Sequence, residues 1–119
     1  MTTLEIYRAA LPLLDRWTAT YPAATSEGKK CSFVSPEAVY FSCPGNLLKV
    51  AWEAGPVHRT DEFVQELCYP IMLLIDEKYR KNTRYPFYEH VSVWNSSSSK
   101  ELVCETFNKV LIGLEHAEK

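Results

Sequence analysis

The sequence predicts a mainly α fold, a compact bundle of four or five helices with a short extended segment or small β-hairpin. Two observations carry that reading. Apolar residues recur about a turn apart, most clearly in Phe63, Val64, Leu67, Ile71, Leu74 and Ile75. Hydroxyl and acidic residues precede such stretches in the pattern of helix caps. A third observation fixes the scale: 119 residues with 46% hydrophobic and 13% aromatic content suffice for one core and not for two. The expectation is a single domain over residues 1–119, without internal repeats or a linker.

The elements follow in order. Thr2 and Glu5 form a capping box, and Ile6, Ala10, Leu13, Leu14 and Trp17 continue at helical spacing. Pro12 lies inside that run, so a kink or early stop is expected there. Residues 21–30 read as an exposed loop, and Cys31–Val34 as a short extended piece. Ser35-Pro36-Glu37 reads as a helix start: a hydroxyl cap, proline at the first position and an acid at the positive end. That helix would carry Ala38 to Phe41, be interrupted at Cys43–Asn46, resume over Leu47–Ala54 and stop at Gly55-Pro56.

Thr60 caps the next helix, with Asp61 and Glu62 in its first turn and Pro70 inside it. Residues 80–84 read as a turn. Tyr85 to Trp94, with Pro86 and alternating Phe87, Val91 and Val93, reads as a short edge strand or an irregular aromatic segment, so the short extended segment or small hairpin is expected to involve 31–34 and 86–93. Ser98 and Glu101 form a second capping box for a last helix buried through Val103, Phe107, Val110, Leu111 and Leu114. Glu105 and Lys109 make a surface pair on it.

A formal net charge of −2 weighs against a dedicated nucleic-acid binder. The longest apolar run, Ile71–Ile75, is far short of the roughly 20 residues that a membrane span needs. The first residues lack the basic-then-apolar pattern of a secretory leader, so a cytoplasmic protein is expected. Its four cysteines, Cys31, Cys43, Cys68 and Cys104, are then expected as free thiols.

Two segments carry a resemblance. Ser35-Pro36-Glu37-Ala38-Val39-Tyr40-Phe41-Ser42-Cys43-Pro44-Gly45-Asn46-Leu47, and Val91-Ser92-Val93-Trp94-Asn95 ahead of a capped helix, are similar to a family of small bacterial and phage proteins of unknown function. Trp17 at the end of the first helix fits the same layout. The sequence departs from the family at Asn46, where Ala is usual, and at Ser96, where Asp is usual. The resemblance implies a compact helical domain in a phage or bacterial setting, with no activity to carry over.

Four groups of residues could carry chemistry. Cys43 ahead of a helix, with His90 and Asn95 downstream, has the order of a thiol hydrolase: nucleophile, base and orienting amide. Cys31, Cys43, His58 and His90 are zinc-type ligands, but none of the spacings preorganises a site, so no metal is expected. Lys78, Arg80, Lys81 and Arg84 cluster with Tyr79 and Tyr85, which would suit phosphates and a stacked base. Tyr85, Tyr88 and Trp94 lie in the densest aromatic stretch, a composition favoured at protein interfaces. No phosphate-binding glycine loop or nucleophile elbow is present, and no cofactor is expected.

The residues therefore point to a non-enzymatic binding protein with a protein partner, such as a phage accessory factor that inhibits a host defence protein. Its contact residues would be Tyr85, Tyr88, Trp94, Arg80, Lys81 and Arg84. The alternatives are the thiol hydrolase and a small-ligand or nucleotide-binding module.

Overall fold

A computed structural model describes residues 2–75 and 87–117. The turn expected at 80–84, and Lys78, Tyr79, Arg80, Lys81, Arg84 and Tyr85, lie outside the described residues. The described chain forms α1 (Thr3–Ala10), a 3₁₀ segment (Leu11–Arg16), β1 (Ala23–Ala24), β2 (Tyr40–Phe41), α2 (Cys43–Ala54), a second 3₁₀ turn (Pro56–His58), α3 (Asp61–Met72), α4 (Phe87–Ser96) and α5 (Lys100–Ala117). It is the mainly α bundle with a small antiparallel sheet that the spacing predicts.

Several local signals act as read. The Thr2 hydroxyl accepts from the Glu5 amide at 3.1 Å, and the Glu5 carboxylate accepts from the Thr2 amide at 2.9 Å. That bond holds the Glu5 carboxyl below the usual carboxylate range. The α-helix ends at Ala10, and the chain tightens to 3₁₀ geometry around Pro12, whose ring cannot donate to the ladder. Thr60 caps α3 by accepting from the Phe63 amide at 3.2 Å, and α3 runs through Pro70. Glu105 and Lys109 pair at 3.5 Å.

Other elements differ from the sequence reading. Ser35-Pro36-Glu37 starts one turn and no helix: the Ser35 hydroxyl accepts from the Glu37 amide and the Ser35 carbonyl from the Ala38 amide. Val39 then donates to Ala24, and the aromatic pair Tyr40–Phe41 becomes β2, antiparallel to Ala23–Ala24. The sheet is thus built from 23–24 and 40–41 rather than from 31–34 and 86–93. Only Cys31 of the expected extended piece touches it, donating to Ala23 at 3.1 Å. Ala23 and Ala24 are buried, although 21–30 read as an exposed loop.

Residues 87–96 are helical, and the reason is legible in hindsight. Phe87, Val91 and Trp94 with Asn95 recur three to four apart, a period that the alternation of Val91 and Val93 masked. Val91 and Trp94 enter the core, while Val93 is exposed, and Leu74, past the end of α3, is exposed as well. The cap of α5 sits one residue later than expected: Ser99 accepts from the Leu102 amide at 3.1 Å, while Ser98 donates to the Trp94 carbonyl and closes α4.

All five helices feed one core. Ile6, Tyr7, Leu47, Leu67, Ile71, Val91, Val103 and Phe107 are its most deeply buried members. Tyr7 packs on Phe107 with ring centroids 4.9 Å apart, and its hydroxyl donates to the Leu67 carbonyl. α3 lies along α4, and α1 lies against α2 and α5.

The tightest junction is at the start of α2. A Cβ added to Gly45 would stand 2.0 Å from the Pro22 carbonyl oxygen, which also accepts from the Ser42 amide at 3.2 Å. The three nearest atoms all belong to the Pro22 backbone, so no flexible side chain can yield. Gly45→Ala is expected to destabilise the fold by about 3 kcal/mol or more, the upper range of overpacking. Urea unfolding of wild type and variant measures this, and a difference below about 1 kcal/mol would show that the junction tolerates a methyl group.

Candidate functional site

Two of the residues singled out as a thiol centre, Cys43 and Asn95, meet at the start of α2, and their geometry is structural. Asn95 is buried. Its side-chain oxygen accepts from the Trp17 indole N–H at 2.6 Å and from the Cys43 amide at 3.0 Å. Its amide group donates to the Thr18 carbonyl at 3.1 Å and the Ala19 carbonyl at 3.3 Å. An asparagine amide has two acceptor and two donor positions, so none is left to orient a histidine. The α2 N-terminus is closed in the same way. Asn95 takes the Cys43 amide, Ser42 takes the Gly45 amide at 2.9 Å, and Pro44 has no N–H to offer.

The Cys43 thiol is fully buried. Burial first, and then the neighbouring Cys68 and Cys104, push its pKa far above the ordinary thiol value. Burial pushes Cys68 up to about 12. These thiols are packed in the core, where burial disfavours the thiolate that the hydrolase alternative built on Cys43, His90 and Asn95 would need. His90 lies half-buried on α4. Among the described residues, no three His, Cys, Asp or Glu side chains gather to hold a metal ion.

Of the expected contact residues, Trp94 is buried in the core, only 4% exposed, so its indole is packing rather than a contact surface. Tyr88 is half-buried and borders a cleft of about 310 Å³, within the range of small-ligand sites. Leu48 and Trp52 of α2, Val64 and Gln65 of α3, and Tyr88 and Glu89 of α4 form its walls, with Phe33 from the loop ahead of β2. His58 and Arg59, from the connection into α3, and Asp61, the first residue of that helix, complete the rim.

Local sequence builds each wall. Gly55, at φ 132°, lets the chain reverse after α2. Arg59 then folds back and donates from Nε and Nη2 to the Trp52 carbonyl at 3.2 and 3.0 Å. Its guanidinium lies 4.2 Å from the centre of the Trp52 ring. Phe33 meets the same indole edge-on at 5.9 Å, and His58 meets Phe63 edge-on at 4.8 Å. Across the cleft, Gln65 Oε1 accepts from the Tyr88 amide at 3.2 Å, tying α4 to α3. Burial raises the Tyr88 phenol pKa, offset in part by its bond to Ser92.

No known protein family, curated protein or solved structure matches this chain. The cleft is therefore judged on its own chemistry: aromatic walls, one guanidinium, and the carboxylates of Asp61 and Glu89. Sequence reading missed Phe33, Trp52, Arg59, Asp61, Gln65 and Glu89. The one available signal was the Gly55-Pro56 reversal, which brings the end of one helix back beside the start of the next.

Two outcomes follow. In native protein, Cys31 and Cys104, both half-buried, are expected to be alkylated before Cys43 and Cys68; peptide mass mapping reads the order, and a fast Cys43 would restore the nucleophile. Thiols raised in the fold also make stability pH-dependent. The unfolded chain loses these protons near pH 9.0, the folded chain only near pH 12 or above. The contribution of these thiols is full below pH 9 and falls as pH rises toward 12, by about 1.4 kcal/mol per unit for each thiol. Cys68→Ala should flatten that fall by about one proton, read from urea midpoints across the range.

Proposed function

We propose that the protein is a non-enzymatic binding protein that receives its partner in the Trp52 cleft. The carrying observation is the cleft itself: Trp52 is 39% exposed inside a concave site whose other walls are already held in place by hydrogen bonds. Exposed tryptophan in a preformed hollow is the pattern of a binding anchor, because it offers a large area at little entropic cost. Burial of Cys43 and saturation of Asn95 support a role in which no bond is made or broken. The phage or bacterial setting implied by the sequence resemblance suits an accessory factor that acts by occupancy alone. Four free thiols favour a reducing compartment such as the cytoplasm.

A thermal-shift screen of small aromatic fragments and short peptides tests the proposal. Cleft ligands are expected to raise the Tm of the wild type by a few degrees and to leave Trp52→Ala unchanged. The proposal fails if no compound stabilises the wild type, or if Trp52→Ala responds to the same compounds.

A further inference from the structure

Resting on that cleft, we propose that its occupant is a planar aromatic group bearing a neutral carbonyl, as in an aryl ketone or aryl amide. The ring follows from the walls. Trp52 and Phe33 stand together on one side, Tyr88 lines the cleft from α4, and Leu48 and Val64 add apolar surface. A rigid planar ring covers such surfaces without losing conformational freedom on binding.

The carbonyl follows from donors that the fold holds in place and leaves unspent. An arginine carries five N–H groups, and Arg59 gives two of them, from Nε and Nη2, to the Trp52 carbonyl. Those bonds and the Trp52 ring, 4.2 Å away, hold the guanidinium. Its other three N–H groups, two on Nη1 and one on Nη2, have no partner among the described residues. Gln65 is held in the same way: its oxygen takes the Tyr88 amide, and the two N–H groups on its nitrogen have no partner among the described residues. The indole N–H of Trp52 is a further unspent donor among them. All three residues line the cleft. A carbonyl oxygen, which accepts and cannot donate, complements them. Asp61 and Glu89 do not fill that role. Neither forms an ion pair with Arg59, and both are exposed at the rim, where water satisfies them. They bear on charge instead. An anionic acceptor would gain Arg59 but sit among two carboxylates, whereas a neutral carbonyl meets the same donors without that repulsion.

Acetophenone, aniline and benzoate test this, because on one ring they carry a neutral acceptor, a neutral donor and an anionic acceptor. The readout is the indole N–H resonance of Trp52 in the full chain; the indoles of Trp17, bonded to Asn95, and of buried Trp94 serve as internal references. In the wild type, acetophenone is expected to move the Trp52 signal saturably and to bind about threefold more tightly than aniline or benzoate. Gln65→Glu keeps an oxygen for the Tyr88 amide and removes both N–H groups, while Arg59→Lys keeps the charge and removes the planar fork. Each is expected to weaken acetophenone about threefold without weakening aniline. Aniline or benzoate binding as tightly as acetophenone to the wild type, a comparison that needs no variant to fold, overturns the carbonyl assignment and leaves the cleft reading standing. Acetophenone binding unchanged in both variants overturns it as well. If none of the three probes moves Trp52, the carbonyl assignment falls. The fragment and peptide screen then decides the cleft reading separately.

Discussion

The fully used side chain of Asn95 is the constraint on which the rest of this fold depends. One buried amide joins the end of the first 3₁₀ segment, the chain after it and the first turn of α2 to the last turn of α4. Each partner is a group that would be costly to leave dry and unpaired: an indole N–H, a helix-start amide and two carbonyls. Such a network is worth having only when every member is satisfied, and here every position of the amide is taken. Because α4 is pinned to α2 in this way, and to α3 through Gln65 and Tyr88, the space that the three helices leave between them has a fixed shape.

The balance at Cys43 shows how magnitudes settle a question that motif reading leaves open. A thiol in the first turn of a helix gains from the dipole, an effect of about 1 kcal/mol and rarely more than 2. Full burial disfavours the thiolate by as much as 3 to 5 pKa units, roughly 4 to 7 kcal/mol. Desolvation therefore wins by a wide margin. The amides that would have stabilised the anion are also engaged elsewhere, by Asn95 and Ser42. Helix-start position alone is a poor sign of an activated cysteine when the start is inside the core.

What the sequence made legible was local and chemical. The Thr2–Glu5 box, the Thr60 cap, the break at Pro12 and the stop at Gly55 each depend on residues within a turn of one another, and each formed as read. The misreadings came from signals that serve two structures equally well. Ser-Pro-Glu begins a helix or a lone turn, and only the pairing of Tyr40–Phe41 with a distant Ala23–Ala24 decides between them. Phe87, Val91 and Val93 alternate like a strand, while Phe87, Val91 and Trp94 step like a helix; packing against α3 chose the second. Trp17, Cys43 and Asn95 stood out as landmarks, yet their role is to hold one another. The cleft was invisible for the same reason that β2 was: its walls come from segments far apart in the chain.

That division bears on where function can reside in a chain this short. The core draws on all five described helices and takes the inward side chains of each. Most polar groups at the helix junctions are consumed in holding the fold, as Asn95, Ser42, the side-chain oxygen of Gln65 and two N–H groups of Arg59 are. Asp61 and Glu89 are exceptions with a structural alibi, since each sits in the first turn of its helix, where an acid offsets the positive end. That role accounts for a negative charge at each position. It does not account for both residues lining the same hollow as the exposed Trp52, and helix placement gives no reason for that convergence. A hollow with preorganised walls gains affinity from any ligand that fits them, because the walls need not be reordered on binding, whereas the exposed carboxylates at its rim must exchange water for whatever they accept from.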